Sequence, residues 1–270
     1  MKSIKQESLS RKKRIDLGIV EKKNISGHPH KHEVGHLASQ EKMSLLTSYY
    51  RWSLDYLGES QGRRIWDAGA GVGIASNILE QRSDYILATE IGRENLSVLK
   101  KKFSSCPKVE IRECDLLNAR REELPRGMDT IVHLDVLEHI QEDAKVLRLF
   151  YDCLTVNGRL LVKVPAHPSL YCAIDRSSSH VRRYTREGLK RKLVDAGFEV
   201  SRITYMNVIG AVIYFVKGKI LRHDREFANT INKNSFVVMN RIIPVYKRIE
   251  RFLPLCFGLS VIAVAIKKGP

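Results

Sequence analysis

Apolar positions recur along this chain in two rhythms. From Gln40 to Leu57, the residues Met43, Leu46, Tyr50, Leu54 and Leu57 follow one another at intervals of three and four, which lines one face of a helix. Gly58 can end that helix. Beyond it, short apolar runs alternate with helical patterns. Strands are predicted at Arg64–Ala68, Tyr85–Glu90, Val109–Cys114, Asp129–Leu134 and Arg159–Val164, with helices at Ile74–Gln81, Arg93–Phe103 and Glu142–Leu154. Asn157-Gly158 reads as a turn. Near-continuous apolar runs such as Leu160-Leu161-Val162 suit strands buried on both faces. Alternation of this kind predicts an α/β fold with a mostly parallel sheet covered by helices on both sides.

The pattern becomes irregular from Pro165 to Tyr184. Thr185 is a good N-cap for a helix over Arg186–Ala196, Gly197 sits where helices commonly stop, and Phe198–Tyr205 and Leu259–Ile266 read as strands. Residues 206–251 differ from the rest. The apolar run Val208–Val216 is followed by Lys217, Lys219, Arg222 and Arg225, the mix of an interfacial amphipathic helix or of a lid over a site. Residues 1–36 are polar and Lys-rich, and are expected to form a flexible basic arm carrying His28, His30, His32 and His36, a tract that can bind metal. The expected division is therefore an arm (1–36), a core (37–205), a basic amphipathic insertion (206–251) and a return to the core (252–270).

Composition narrows the class. With 270 residues, 43% hydrophobic and 28% charged, the chain is long enough for one large core and is neither disordered nor collagen-like. Five cysteines without a C-x-x-C pair point to a reducing compartment rather than a disulfide framework. No secretory h-region is visible, and the longest uncharged stretch, Phe252–Ile266, is interrupted by Pro254 and Gly258 and falls short of the ~18 residues of a confident span. A cytoplasmic location is expected, with peripheral contact to a membrane left open. The net charge of +16 is uneven: +5 over 1–36, −2 over 37–175, +11 over 176–251 and +2 from Lys267 and Lys268. The flanks therefore suit an anionic membrane surface or RNA. Nothing in the pattern sets an oligomeric state.

The most specific motif is Asp67-Ala68-Gly69-Ala70-Gly71-Val72-Gly73, a strand end, an acidic residue and a glycine-rich turn opening a helix. Glycines allow a tight turn and close approach of a ligand, and the helix start offers free N–H groups. The spacing is not the G-x-G-x-x-G of dinucleotide enzymes, because position 74 is Ile74, so a nicotinamide-dependent oxidoreductase is disfavoured. Glu90 ends the second strand, where it can accept from ribose hydroxyls, and Asp115 ends the third.

On these residues the chain resembles the class I S-adenosylmethionine-dependent methyltransferases, over about 40–205 and the last strand. The resemblance implies a Rossmann-like sheet of seven strands, the last antiparallel. It implies that Asp67, Gly69, Ala70, Gly71 and Gly73 hold the methionine portion of S-adenosylmethionine, that Glu90 binds the ribose and Asp115 the adenine with Leu116 near the base, and that Ile91 and Leu134 also belong to the cofactor site. A non-catalytic binding module that keeps the cofactor as a structural ligand is the alternative of a different class.

The fourth strand delivers Asp135-Val136-Leu137-Glu138-His139 to the carboxyl edge. This element resembles the metal site of ubiquinone-pathway O-methyltransferases and of small-RNA 2′-O-methyltransferases. The implied ligands are Asp135, Glu138 and His139, with His180 as a fourth by looser analogy, for a divalent ion such as Mg²⁺ or Zn²⁺. Asp135 is one methylene shorter than the Glu usual there. The Pro165–Tyr184 stretch is expected to form the acceptor site. His180 is the leading candidate for the group that takes the acceptor's proton, with His167 and His139 behind it. One of Arg182 and Arg183 could clamp an anionic group, and Tyr171 and Tyr184 could line the pocket. The expectation is O-methylation of a small hydroxylated or lipid-linked acceptor, with RNA 2′-O-methylation second.

Overall fold

The computed structural model describes residues 45–58, 62–222, 233–250, 252 and 256–269. The N-terminal arm, its four histidines and the first residues of the predicted 40–57 helix lie outside the described residues. Seven strands form one sheet: β1 (Arg64–Ala68), β2 (Tyr85–Glu90), β3 (Val109–Glu113), β4 (Met128–Leu134), β5 (Leu154–Pro165), β6 (Glu199–Met206) and β7 (Ser260–Ile266). Their order is β3-β2-β1-β4-β5-β7-β6. The first five run parallel, and β7 lies antiparallel between β5 and β6. This is the predicted Rossmann-like sheet with its antiparallel last strand.

The helices are α1 (Thr47–Leu54), α2 (Ile74–Leu79), α3 (Arg93–Lys102), α4 (Asp143–Cys153), α5 (Ala173–Ser177), α6 (Arg186–Asp195), α7 (Val208–Phe215) and α8 (Lys233–Glu250). They fall on both faces of the sheet because the side chains of a strand alternate. On β1, Trp66 enters the cluster with Leu147 and Phe150, while its neighbour Ile65 enters the cluster with Trp52, Leu79 and Leu99. The indole is fully buried, stacks edge-on against Phe150 at 5.3 Å, and donates its N–H to Thr89 Oγ1 at 2.8 Å. That bond satisfies the one polar atom of a side chain that otherwise contributes apolar area.

β5 departs from its predicted limits. It begins at Leu154, five residues earlier, and the Asn157-Gly158 turn lies inside it. The pairing with β4 jumps from Met128↔Leu154 to Thr130↔Arg159, so the turn is a bulge, with Asn157 at φ +66°. Apolar Leu154 pairs before the bulge, which periodicity alone does not reveal.

The 206–251 segment resolves into α7, a π-helical turn (Val216–Ile220) and α8. α8 is fastened to α1. Ser48 N donates to Asn240 Oδ1 at 2.7 Å, Trp52 and Tyr246 meet edge-on at 5.6 Å, Lys247 pairs with Asp55, and Ile243 is buried. The last turn of α8 in turn caps α7: the buried Glu250 carboxylate accepts from Asn207 N at 2.7 Å and Val208 N at 3.1 Å. A carboxylate on the first N–H groups of a helix satisfies orphan donors and suits the helix dipole.

Candidate active site

The glycine loop sits between β1 and α2. Gly69 N and Ala70 N donate to Thr89 O at 2.9 and 2.8 Å, which folds the loop back over the end of β2. Gly69, Gly71 and Gly73 all have positive φ, at +82°, +55° and +74°. Two of them are also sterically required. A Cβ on Gly69 would stand 2.6 Å from Val136 Cγ2, and one on Gly73 would stand 2.7 Å from both Leu99 and Phe103 of the α3 region. The loop therefore packs directly against the turn that carries Asp135, Glu138 and His139.

Asp67 is buried at the end of β1, where its Oδ2 accepts from Ser76 N at 3.0 Å and Ser76 Oγ at 2.6 Å. Burial pushes its carboxyl up to about 6, against the pull of the two Ser76 bonds, and the charge of Glu90 adds to the rise. A buried carboxylate at the floor of a glycine loop suits a cationic ligand, whose charge would replace the lost hydration. Glu90 holds the loop from the other side. Its Oε2 accepts from Gly71 N at 2.8 Å, and its Oε1 from Ile91 N at 2.8 Å and Gly92 N at 2.9 Å. Ile91 is exposed beside it. Asp115 closes an Asx turn onto Leu117 N at 3.0 Å and Asn118 Nδ2 at 2.8 Å, and lines a shallow pocket with Cys114, Asn118 and Ala119. Leu116 is buried in the core and Leu134 packs beside Ala70 against the opposite cluster.

The second half of the site is built around Asp175, in the short helix α5 and fully buried. Its Oδ1 accepts from His180 Nδ1 at 3.0 Å and Arg183 Nε at 2.7 Å, and its Oδ2 from Cys172 N at 2.9 Å and Tyr214 OH at 2.8 Å. Burial alone would raise this carboxyl; the His180 bond, the Arg183 guanidinium and the remaining donors instead hold it down to about 2. With Nδ1 donating to Asp175, the lone pair of His180 lies on Nε2, which is 3.9 Å from Glu138 Oε1. The His139 and His180 rings meet edge-on at 4.8 Å.

Glu138, His139 and His180 each offer one ligand atom, all within 4.8 Å of one another. Glu138 is almost fully buried, and its Oε2 has no hydrogen-bond partner among the described residues. Burial and the nearby charge of Asp135 push its carboxyl well above the usual range. A buried carboxylate with one unpartnered oxygen beside two imidazoles fits a divalent cation, which would hold the carboxylate ionised.

Asp135, expected with Glu138 and His139 as a ligand, lies outside this group, and His180, the looser fourth, lies in it. Asp135 adopts φ +56° at the end of β4 and pairs at 2.7 Å with Lys163 Nζ. Lys163 is fully buried on β5, where β4–β5 register sets Leu134 beside it, and its ammonium lies 4.4 Å over the Tyr49 ring and 5.4 Å over Tyr50. Burial works against that charge, but Asp135 and the two tyrosines keep the ammonium above its ordinary range. Sequence reasoning missed Lys163. The signal was a lysine inside the apolar run Leu160–Val164.

Other expected site residues are placed elsewhere. His167, at φ +57°, is stacked between Tyr205 and Phe257, each 4.6 Å away, and its ring is not among the clustered imidazoles. Both arginines already have partners, Arg182 with Asp143 and Gln141 and the buried Arg183 with Asp175 and Ala166 O, and both line a small cavity with Pro168, Tyr171 and Val181. Tyr184 is core, donating to Asp143 Oδ2 at 2.9 Å, and Tyr171 donates to His180 O at 2.8 Å.

Residues 66–160 match the family model described as a methyltransferase domain. A ubiquinone biosynthesis O-methyltransferase of Paracidovorax citrulli (strain AAC00-1) is 29% identical over 97 residues, 35% of this chain and 40% of the relative. The matched segment thus spans less than half the length of that relative. Among solved structures, an S-adenosylmethionine dependent methyltransferase from Mesorhizobium loti superposes with a TM-score of 0.57 at 12% identity, over 81% of this chain and 97% of that one. The 4+2 cyclase SpnF does so at 0.55 and 15% identity, over 90% and 98%. Likeness at such identities shows the fold alone. Residues 66–160, which carry the glycine loop and Glu90, are thus similar in sequence to a methyltransferase domain, and the fold around them is the one these solved structures share.

Proposed function

We propose that the chain transfers the methyl group of S-adenosylmethionine to an oxygen, on a small hydroxylated or lipid-linked acceptor. The observation that carries this reading is the Glu138–His139–His180 cluster beside the glycine loop. A hydroxyl acceptor must shed its proton as the methyl arrives. His180 Nε2 can take it, because Asp175 fixes the opposite ring nitrogen as a donor and stabilises the imidazolium that forms.

S-adenosylmethionine supplies an electrophilic methyl on a cationic sulfur. Asp67, Gly69, Gly71 and Gly73 would hold its methionine portion, Glu90 its ribose and Asp115 its adenine. The chain contributes mainly orientation: a loop fixed by Glu90 and Thr89 against the turn that bears the acceptor-side residues. Alternatively, Glu138, His139 and His180 would hold a divalent cation through that same Nε2, which then takes no proton; the cation's chemistry there would be to grip acceptor oxygens and lower their pKa, with the proton leaving to solvent. Two imidazoles with one carboxylate suit zinc better than magnesium, which prefers oxygen ligands.

The test uses chelator-treated full-length protein, titrated first with S-adenosylhomocysteine and then with Zn²⁺, Mn²⁺ and Mg²⁺, followed by turnover assays with catechols, phenols and RNA 3′ ends. Cofactor binding, cation uptake lost in Glu138→Gln and His139→Ala, and turnover of a hydroxyl acceptor lost in His180→Ala are expected. Cofactor binding with turnover only of amine or carbon acceptors would overturn the oxygen reading.

A further inference from the structure

Exposed large apolar side chains are concentrated in one region. Of the nineteen among the described residues, fourteen lie between Ile209 and Phe257. They are not scattered. α8 buries Ile243 and turns Asn240, Tyr246 and Lys247 toward α1, so its opposite face is Val238, Arg241, Ile242, Val245, Arg248 and Ile249. On an ordinary surface helix that outer face would be polar. Here Ile242 is 55% exposed, Val245 63% and Ile249 57%. α7 repeats the arrangement. Ala211, Tyr214 and Gly218 face inward at helical spacing, while Ile209, Val212, Ile213, Phe215 and Val216 face out.

Charge selects the occupant. Residues 206–251 carry nine basic and three acidic side chains. One of those acidic groups, Glu250, is buried on the α7 N-terminus and offers nothing to the surface. Exposed Arg222, Arg241 and Arg248 stand among the apolar residues. A second copy docked on this face would oppose cation to cation. A surface that accepts apolar side chains and also carries negative charge is the headgroup layer of an anionic bilayer. No helix among the described residues is long and apolar enough to cross a membrane, which agrees with a face that lies on one.

We infer that the outer faces of α7, its π-helical turn and α8 form an interfacial docking surface for an anionic lipid membrane. The same elements reach the site. Tyr214 of α7 donates to Asp175, which holds His180; Lys219 donates to Tyr171 O at 2.8 Å; and a Cβ on Gly218 would stand 2.6 Å from Cys172 Sγ. Docking therefore brings the Pro165–Tyr184 loop to the bilayer, where a lipid-linked acceptor would be presented. The surface itself does not depend on the oxygen reading of the chemistry.

The test is flotation of the full chain with vesicles of phosphatidylcholine alone and of phosphatidylcholine with phosphatidylglycerol. Binding is expected to the anionic vesicles, weakened by salt. Ile242→Asp/Val245→Asp is expected to lower partitioning about tenfold or more, since two apolar insertions are lost. Arg241→Glu/Arg248→Glu is expected to remove the preference for anionic lipid. All four positions are exposed, so unchanged S-adenosylhomocysteine binding will show that the variants are folded. Absence of vesicle binding would overturn the inference, as would equal binding by the Asp variant. A dimer in solution that the Asp variant converts to a monomer would assign the face to a second copy instead, and would likewise overturn it.

Discussion

Replacing Asp67 by Asn separates a carboxylate kept for a ligand from one kept for the fold. The Asp67 carboxyl is raised from 3.8 to about 6, chiefly by burial. A folded-state value above the unfolded one means that the folded protein binds the proton more tightly. Stability is then fully present below about pH 4 and declines as pH rises through 6. The shift of roughly two units corresponds to about 3 kcal/mol lost by pH 8. Asn can still accept from Ser76 N and Oγ through its carbonyl oxygen, so those bonds survive while the buried charge disappears. Asp67→Asn should therefore stabilise the ligand-free protein by about 3 kcal/mol at pH 8 and by about half of that at pH 5.

Cofactor binding should move the other way. Losing a charge-assisted contact of about 1.5–3 kcal/mol would weaken S-adenosylhomocysteine roughly 10- to 150-fold. Denaturant unfolding at the two pH values gives the first quantity and calorimetric titration the second. A variant that is destabilised at pH 8, or whose effect is the same at pH 5, would refute the argument that burial dominates this group. A stabilised variant with unchanged affinity would show that Asp67 does not meet the ligand.

Three further outcomes follow from the geometry. Gly69→Ala combines positive φ with a Cβ 2.6 Å from Val136 Cγ2, so it should abolish measurable cofactor binding; Gly69→Ala/Val136→Ala should recover part of it, and no recovery would refute the steric account. The Asp135–Lys163 pair is asymmetric, with Asp135 40% exposed and Lys163 not at all. Asp135→Ala, which strands a buried ammonium, should cost about 3 kcal/mol or more, while Lys163→Met should cost about 1 kcal/mol or less; equal costs by denaturant unfolding would refute this. Asp175 is held down to about 2, so its stabilising contribution, about 2 kcal/mol, is present above the unfolded value near 4 and lost as pH falls toward 2. Between pH 6 and pH 3, an Asp175→Asn variant should lose about 1 kcal/mol less stability than wild type loses, read by thermal unfolding at both.

Much of the fold was legible because its signals are local. β1 and β2 match their predicted limits, since an apolar run ending at an acidic residue needs no distant information. The glycine loop was legible for the same reason, although the steric need at Gly69 and Gly73 comes from Val136, Leu99 and Phe103, residues no spacing rule connects to them. Of the acceptor side, the strand pattern set Glu138 and His139 after β4, and His180 entered by looser analogy; neither route could show that Asp135 turns to Lys163. That choice is made by register between β4 and β5. Arg182 and Arg183 looked free for ligand because their partners, Asp143 and Asp175, lie 39 and 8 residues away on separate elements.

The least legible region, 206–251, carries the consequence that matters most for how the halves of the molecule relate. An apolar run followed by basic residues has the same composition whether it is a lid, a membrane face or both. The distinction lies in which side chains face inward, and those are few: Tyr214 and Gly218 on one helix, Asn240, Ile243 and Tyr246 on the other. Tyr214 reaches Asp175, the carboxylate that orients His180, so the outer apolar face and the imidazole proposed to take the acceptor's proton share one buried anion. α7 contacts that anion directly through Tyr214, while the glycine loop is held by Glu90 and Thr89, which are on other elements. Contact with a membrane would thus tune the acceptor half of the site while leaving the cofactor half as it is. In kinetic terms, vesicles should alter turnover of a lipid-linked acceptor without altering S-adenosylhomocysteine affinity, and a matching change in that affinity would show that the two halves are not separable in this way.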